Sequence, residues 1–236
     1  MFFIEEKIME KALMVSHIVA GVTVLLLGLL NIFNKKGSTV HKLMGKIYVG
    51  AMWWICLSAI ISILFIRFSL FLMVIAVLTF HLSFVGLRVV KRKQPGSEKW
   101  YDWLVSVLTG VFGMGLCVYG IYLLINQPDY IALGALSLFF GAVTFLNGFQ
   151  EIQFFRSPGK VKMKKWWLYN HISAMGGSYI AAITAFSVQN GNTFLPDFDH
   201  NWLFWVLPAV IGSPIISFTI KKYKSAEKKT DNPSIA

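Results

Sequence analysis

Seven apolar runs divide the chain, at roughly 11–33, 43–66, 68–90, 101–125, 130–155, 165–187 and 201–220, with short polar stretches between them. Each is about 20 residues or longer, enough for a helix rising 1.5 Å per residue to cross a hydrocarbon core ~30 Å thick. In lipid the backbone must satisfy its own hydrogen bonds, so runs of this length predict helices. The connections carry turn chemistry: Gly37, Pro95 with Gly96, Pro128, and Pro158 with Gly159. One loop, 188–200, is longer and polar and has neither lysine nor arginine. Residues 224–236 read as a disordered tail, leaving 1–223 as a single transmembrane domain. The first run is too long for the apolar part of a signal peptide. It follows Glu5, Glu6 and Glu10 where such a peptide would be basic, so it reads as a retained first helix.

Composition agrees with the pattern. Hydrophobic residues make up 56% of the chain, mean hydropathy is +0.62, and charged residues are only 14%, against about a quarter in soluble domains. The fold expected is all-α, a polytopic transmembrane helix bundle of about seven spans, with the lipid bilayer as its first partner. A net charge of +11 would suggest nucleic acid if it were clustered on one surface. Instead, of 22 cations all but Lys7, Lys11 and Arg67 lie in or beside alternate loops. That alternation is a topology signal and argues against a nucleic-acid partner. It puts the N-terminus outside and the C-terminus in the cytoplasm, as in a bacterial inner-membrane protein, and it requires an odd number of spans. Cys56 and Cys117 fall inside spans and read as packing residues.

The candidate chemistry lies in polar side chains placed inside apolar runs, where a titratable group is expensive and points to function. His171 is in the sixth run, with Ala174, Met175, Ser178, Ala182 and Ala185 on its helical face, so a groove of mostly small side chains is expected beside it. His17 shares a face with Gly21, Val24, Gly28 and Asn31, which predicts a slot toward the outer side. His41 opens the second helix with Gly45 and Tyr48 on its face, and His81 lies in the third near Phe84, Val85 and Arg88. At 1.5 Å per residue, His81 is ~13 Å and His171 ~9 Å from the cytoplasmic ends of their helices. The fifth run carries a polar stripe, Gly134, Ser137, Gly141, Thr144, Asn147, Gly148 and Glu151, and Glu151 lies at a depth close to that of His171.

Three histidines and a carboxylate at similar depth predict a shared site of His41, His81, His171 and Glu151 for a transition metal, zinc or iron. Two of the histidines, His81 and His171 first, would equally suit the axial positions of a haem b, with His41 and Glu151 as further ligands or proton carriers, Arg88 meeting its propionates and His17 forming a separate outer site. No HExxH, CxxC or CxxCH spacing fixes the metal. The alternative for each histidine is a hydrogen bond across helices, to Thr144 or Asn147 for example. Gly110, Gly113 and Gly115, and likewise Ser173, Gly177, Ala181 and Ala185, suit close helix packing. Asp102 with Trp103, and the pairs Trp53 with Trp54 and Trp166 with Trp167, suit anchoring at the membrane interface. The leading expectation is therefore redox chemistry with a quinone or another lipid-soluble partner. A zinc-dependent hydrolase of lipid amides or esters, with Glu151 as base, and a non-catalytic membrane protein are the alternatives.

Two passages carry a resemblance. The run 41–49, with His41, Lys42, Gly45, Lys46, Tyr48 and Val49, resembles the H-[RK]-x-x-G-[RK]-x-Y-V run of domain-of-unknown-function family 2306, bacterial multi-pass membrane proteins. His17 followed by Gly21 is similar to that family's first helix. His171, Met175, Ser178 and Tyr179 fall where its relatives carry H-R-x-W-M-x-x-S-Y, with Ile172 and Ala174 here in place of arginine and tryptophan. The likeness covers about helices one to six. It implies a membrane protein with recurring histidines and no assigned activity.

Overall fold

The computed structural model describes residues 2–160, 163–196, 199–200 and 202–231. Among these the chain forms seven α-helices and no strand: α1 (Phe2–Phe33), α2 (Thr39–Phe65), α3 (Leu70–Val89), α4 (Trp100–Asn126), α5 (Ile131–Arg156), α6 (Trp166–Phe194) and α7 (Leu203–Asp231). Six of them, all but α6, are long and apolar enough to cross a membrane. The 29 residues of α6 include Asn170, His171, Ser173, Ser178, Thr184, Gln189 and Asn190, and this helix is sheltered by α1, α3 and α7.

Local chemistry sets the helix ends. Gly37, at φ +77°, makes the turn between α1 and α2, a backbone region open to glycine at little cost. Lys36 turns back to donate from Nζ to the carbonyls of Asn31 and Ile32 at the end of α1, and Ser38 caps α2 by accepting from the His41 amide. Two boundaries differ from the pattern. The helix α6 continues to Phe194, so 188–194 is helical rather than loop, and α7 continues to Asp231, so 224–231 is helical rather than tail. Residues 232–236 of the expected tail lie outside the described residues.

The packing is that of a bundle set in an apolar medium. Large apolar side chains line the outside, Phe33 and Phe65 each 79% exposed among them, while His81, Asp102, Ser106, Thr144 and Ser178 are buried. A core of Val24, Tyr48, Val49, Met52, Cys56, Ala59 and Ala76 joins α1, α2 and α3, with Met175, Tyr179 and Ala182 of α6 against it. The α4–α5 hairpin packs backbone to backbone: a Cβ added at Gly113 would run into the Phe145 main chain, and one at Gly148 into that of Gly110. This is the small-residue contact expected for transmembrane helices. Gly115, expected in the same contact, faces open space.

Candidate functional site

Around α3 the polar residues separate into two groups. On the side toward α2 and α6, the imidazoles of His41 and His171 meet edge to face, with ring centroids 6.3 Å apart and planes at 74°. His171 Nδ1 is 2.8 Å from the carbonyl oxygen of Gly86 on α3. A carbonyl only accepts, so that nitrogen carries the proton and Nε2 keeps its lone pair, the tautomer that ligates metals. His41 Nδ1 is buried with no hydrogen-bond partner in the protein, while Asn31 ties the His41 carbonyl to α1 at 3.3 Å. The charge acting on both rings is the Lys36 ammonium. In the turn outside the spans, burial lowers the pKa of that lysine.

Close approach of α3 to α6 creates this contact. A Cβ at Gly86 would meet Met175 Sδ and Cγ, so the glycine lets its carbonyl reach the His171 ring. Below it, Tyr48 and Ser178 share a 2.9 Å hydrogen bond, and Tyr179 donates to the Leu25 carbonyl at 3.0 Å. On the small face of α6, Ser178 thus meets α2 and Met175 meets α3. The slot expected beside Gly28 is likewise filled, by the Tyr179 ring.

The other side of α3 holds charge. Arg88 donates Nε and Nη2 to the two oxygens of Asp102 at 2.8 and 2.7 Å, and Arg92, in the turn after α3, is paired with Glu151 of α5. His81 belongs here. It is 1% exposed and lies against the Asn147 carbonyl, within the field of Arg92.

The four residues expected to share one site therefore do not. His41 and His171 come together, whereas His81 and Glu151 stand on the α5 side of α3. Among the described residues no three of His, Cys, Asp and Glu are placed to hold a metal ion. Arg88, expected to meet propionates, is occupied by Asp102. Asp102 itself, expected at the interface, is 1% exposed and accepts from the Lys99 amide at the start of α4 as well. Trp166, another expected anchor, is buried and donates to the Lys93 carbonyl at 3.0 Å. His17 bonds Ser58 at 2.7 Å through Nδ1, the interhelical hydrogen bond of the alternative reading.

The α2–α6 side offers two imidazole nitrogens as possible donors, His171 Nε2 and His41 Nδ1. His41 and His171 would hold a haem or a transition metal through these nitrogens, and it would supply redox or Lewis-acid chemistry there. His171 is held in the tautomer that leaves Nε2 free, and His41 keeps an unengaged Nδ1. Arg92 and Asp102 as partners of Glu151 and Arg88, the carbonyl of Gly86, and Lys36 were not anticipated from the sequence. The spacing of Arg88 and Arg92, one turn apart beyond His81, was the available signal. No protein-family model, curated protein or solved structure matches the chain.

Proposed function

We propose that this chain is a seven-span protein of the bacterial inner membrane, N-terminus outside, that binds haem b or a transition metal through His41 and His171. The role proposed is redox chemistry with a quinone or another lipid-soluble partner. The observation that carries the reading is the imidazole pair at 6.3 Å, with His171 oriented by the Gly86 carbonyl. When bound, such a group supplies a one-electron couple or a Lewis acid. The chain's own residues do the rest. Gly86 orients His171, Ser38 and Asn31 fix the backbone at His41, and Lys36 would meet any carboxylate the group carries. The α6 helix, as the seventh span, is sheltered by its neighbours in spite of its polar positions, and the cation alternation of the loops supports the orientation. The family resemblance belongs to the same proposal: of the residues that carry it, His41 meets His171 and Tyr48 bonds Ser178. The hydrolase alternative is less favoured because Glu151, its base, is engaged by Arg92 on the other side of α3.

The test is an absorption spectrum with elemental analysis of the detergent-purified full-length protein. The expected result is one haem with a Soret band, or one metal per chain, lost in His41→Ala and in His171→Ala but retained in His81→Ala. Wild-type protein with neither a Soret band nor stoichiometric metal overturns the proposal.

A further inference from the structure

The seam between α3 and α5 contains more buried hydrogen-bonding capacity than the protein uses. Arg92 is 3% exposed and offers five N–H donors, yet only Nη2 has a partner, on Glu151, while Nε and Nη1 have none. His81 Nδ1 and Thr144 Oγ1 are also buried without a partner. Thr144 stands apart from other helical threonines. Thr23, Thr79, Thr109, Thr184 and Thr219 each give the hydroxyl to the carbonyl four residues back, and Thr144 does not, though it is 0% exposed.

Thr144, Asn147 and Glu151 follow one another at three- and four-residue spacing on one face of α5, a rise of roughly 10 Å from first to last. Across from them, His81 lies against Asn147 and Arg92 against Glu151. Bare buried donors are costly, so the seam calls for something that accepts and donates hydrogen bonds. An anion is disfavoured, because Arg88 and Arg92 are already matched by Asp102 and Glu151 and one more charge would make a neutral set negative in a low dielectric. Water adds no charge and uses donors and acceptors alike.

We propose that this seam is an internal hydration site: a short chain of ordered water running from Thr144 past His81 to the Arg92–Glu151 pair at the loop end of α3. It links a buried imidazole to a half-buried carboxylate by mobile hydrogen bonds, independently of the His41–His171 pair.

Radiolytic hydroxyl footprinting of the intact protein in detergent tests this, because ordered water generates radicals beside side chains that bulk solvent does not reach. The reporters are His81 and Phe155, whose ring lies 4.6 Å from the Arg92 guanidinium carbon. The dry control is Met52, 1% exposed in the apolar core and chemically more reactive than either. The expected result is oxidation of His81 and Phe155 on the order of tenfold faster than Met52. Thr144→Val should slow His81 labelling, and Thr144→Ser, which keeps the hydroxyl, should leave it at the wild-type rate. His81 and Phe155 as inert as Met52 in the wild-type protein would overturn the site. Unchanged His81 labelling in Thr144→Val would remove Thr144 from it.

Discussion

The two sides of α3 treat polar groups differently. Toward α4 and α5 each arginine is matched by a carboxylate, Arg88 by Asp102 and Arg92 by Glu151. Toward α2 and α6 are two imidazoles, a backbone carbonyl and one lysine, and among the described residues no carboxylate joins them. The difference follows from the dielectric. A full charge inside a bundle survives only with a partner, and once paired it is committed to structure. A neutral imidazole can stay uncommitted at lower cost, so chemistry is better sought on the side without ion pairs.

Breaking the ion-pair side should produce the largest effect. Arg92→Met leaves the half-buried Glu151 without its partner and should destabilise by about 3 kcal/mol, whereas the double change with Glu151→Met should recover most of that loss. Unfolding of the purified protein in a denaturing detergent series measures both. Next comes the backbone contact. Gly113→Ala pushes a Cβ into the main chain of Phe145 and should cost about 1–3 kcal/mol. Gly86→Ala meets the flexible Met175 side chain instead, so it should cost less in stability yet lengthen the Gly86–His171 contact, visible as a changed His171 side-chain NMR signal. A smaller loss, about 0.6 kcal/mol, is expected for Ser58→Ala, which removes the partner of His17.

The smallest effect sharpens the α2–α6 side. The pKa of Lys36 is lowered from 10.5 by burial, so just below that value the unfolded chain binds more protons than the folded one. Stability should therefore rise with pH through that window, and Lys36→Met should remove the rise. A wild-type melting temperature that falls there would contradict the assignment.

The helices were legible in the sequence because twenty apolar residues in a row have few other uses. The site was only half legible. Sequence position gives depth along a helix, and at that level His81 and His171 look like neighbours. Azimuth decides which neighbour a side chain meets. His81 and Gly86 are five residues apart, a turn of ~140° beyond a full circle, so when Gly86 faces α6, His81 faces elsewhere. Arg88 and Arg92 follow His81 to the α4–α5 side because they repeat at helical spacing on its face. Their carboxylate partners come from other helices, and nothing in the order of residues reports that pairing.

The α4–α5 hairpin has a consequence for biogenesis. Its two helices are joined by a single turn at Pro128–Tyr130 and mate through glycine faces, so they can associate as soon as both have left the translocon. The contacts that join α2 to α6 span a far longer stretch of chain, 130 residues between Tyr48 and Ser178. The imidazole pair is thus closed only after α6 arrives, and a truncation before His171 would leave the hairpin formed and His41 unmated.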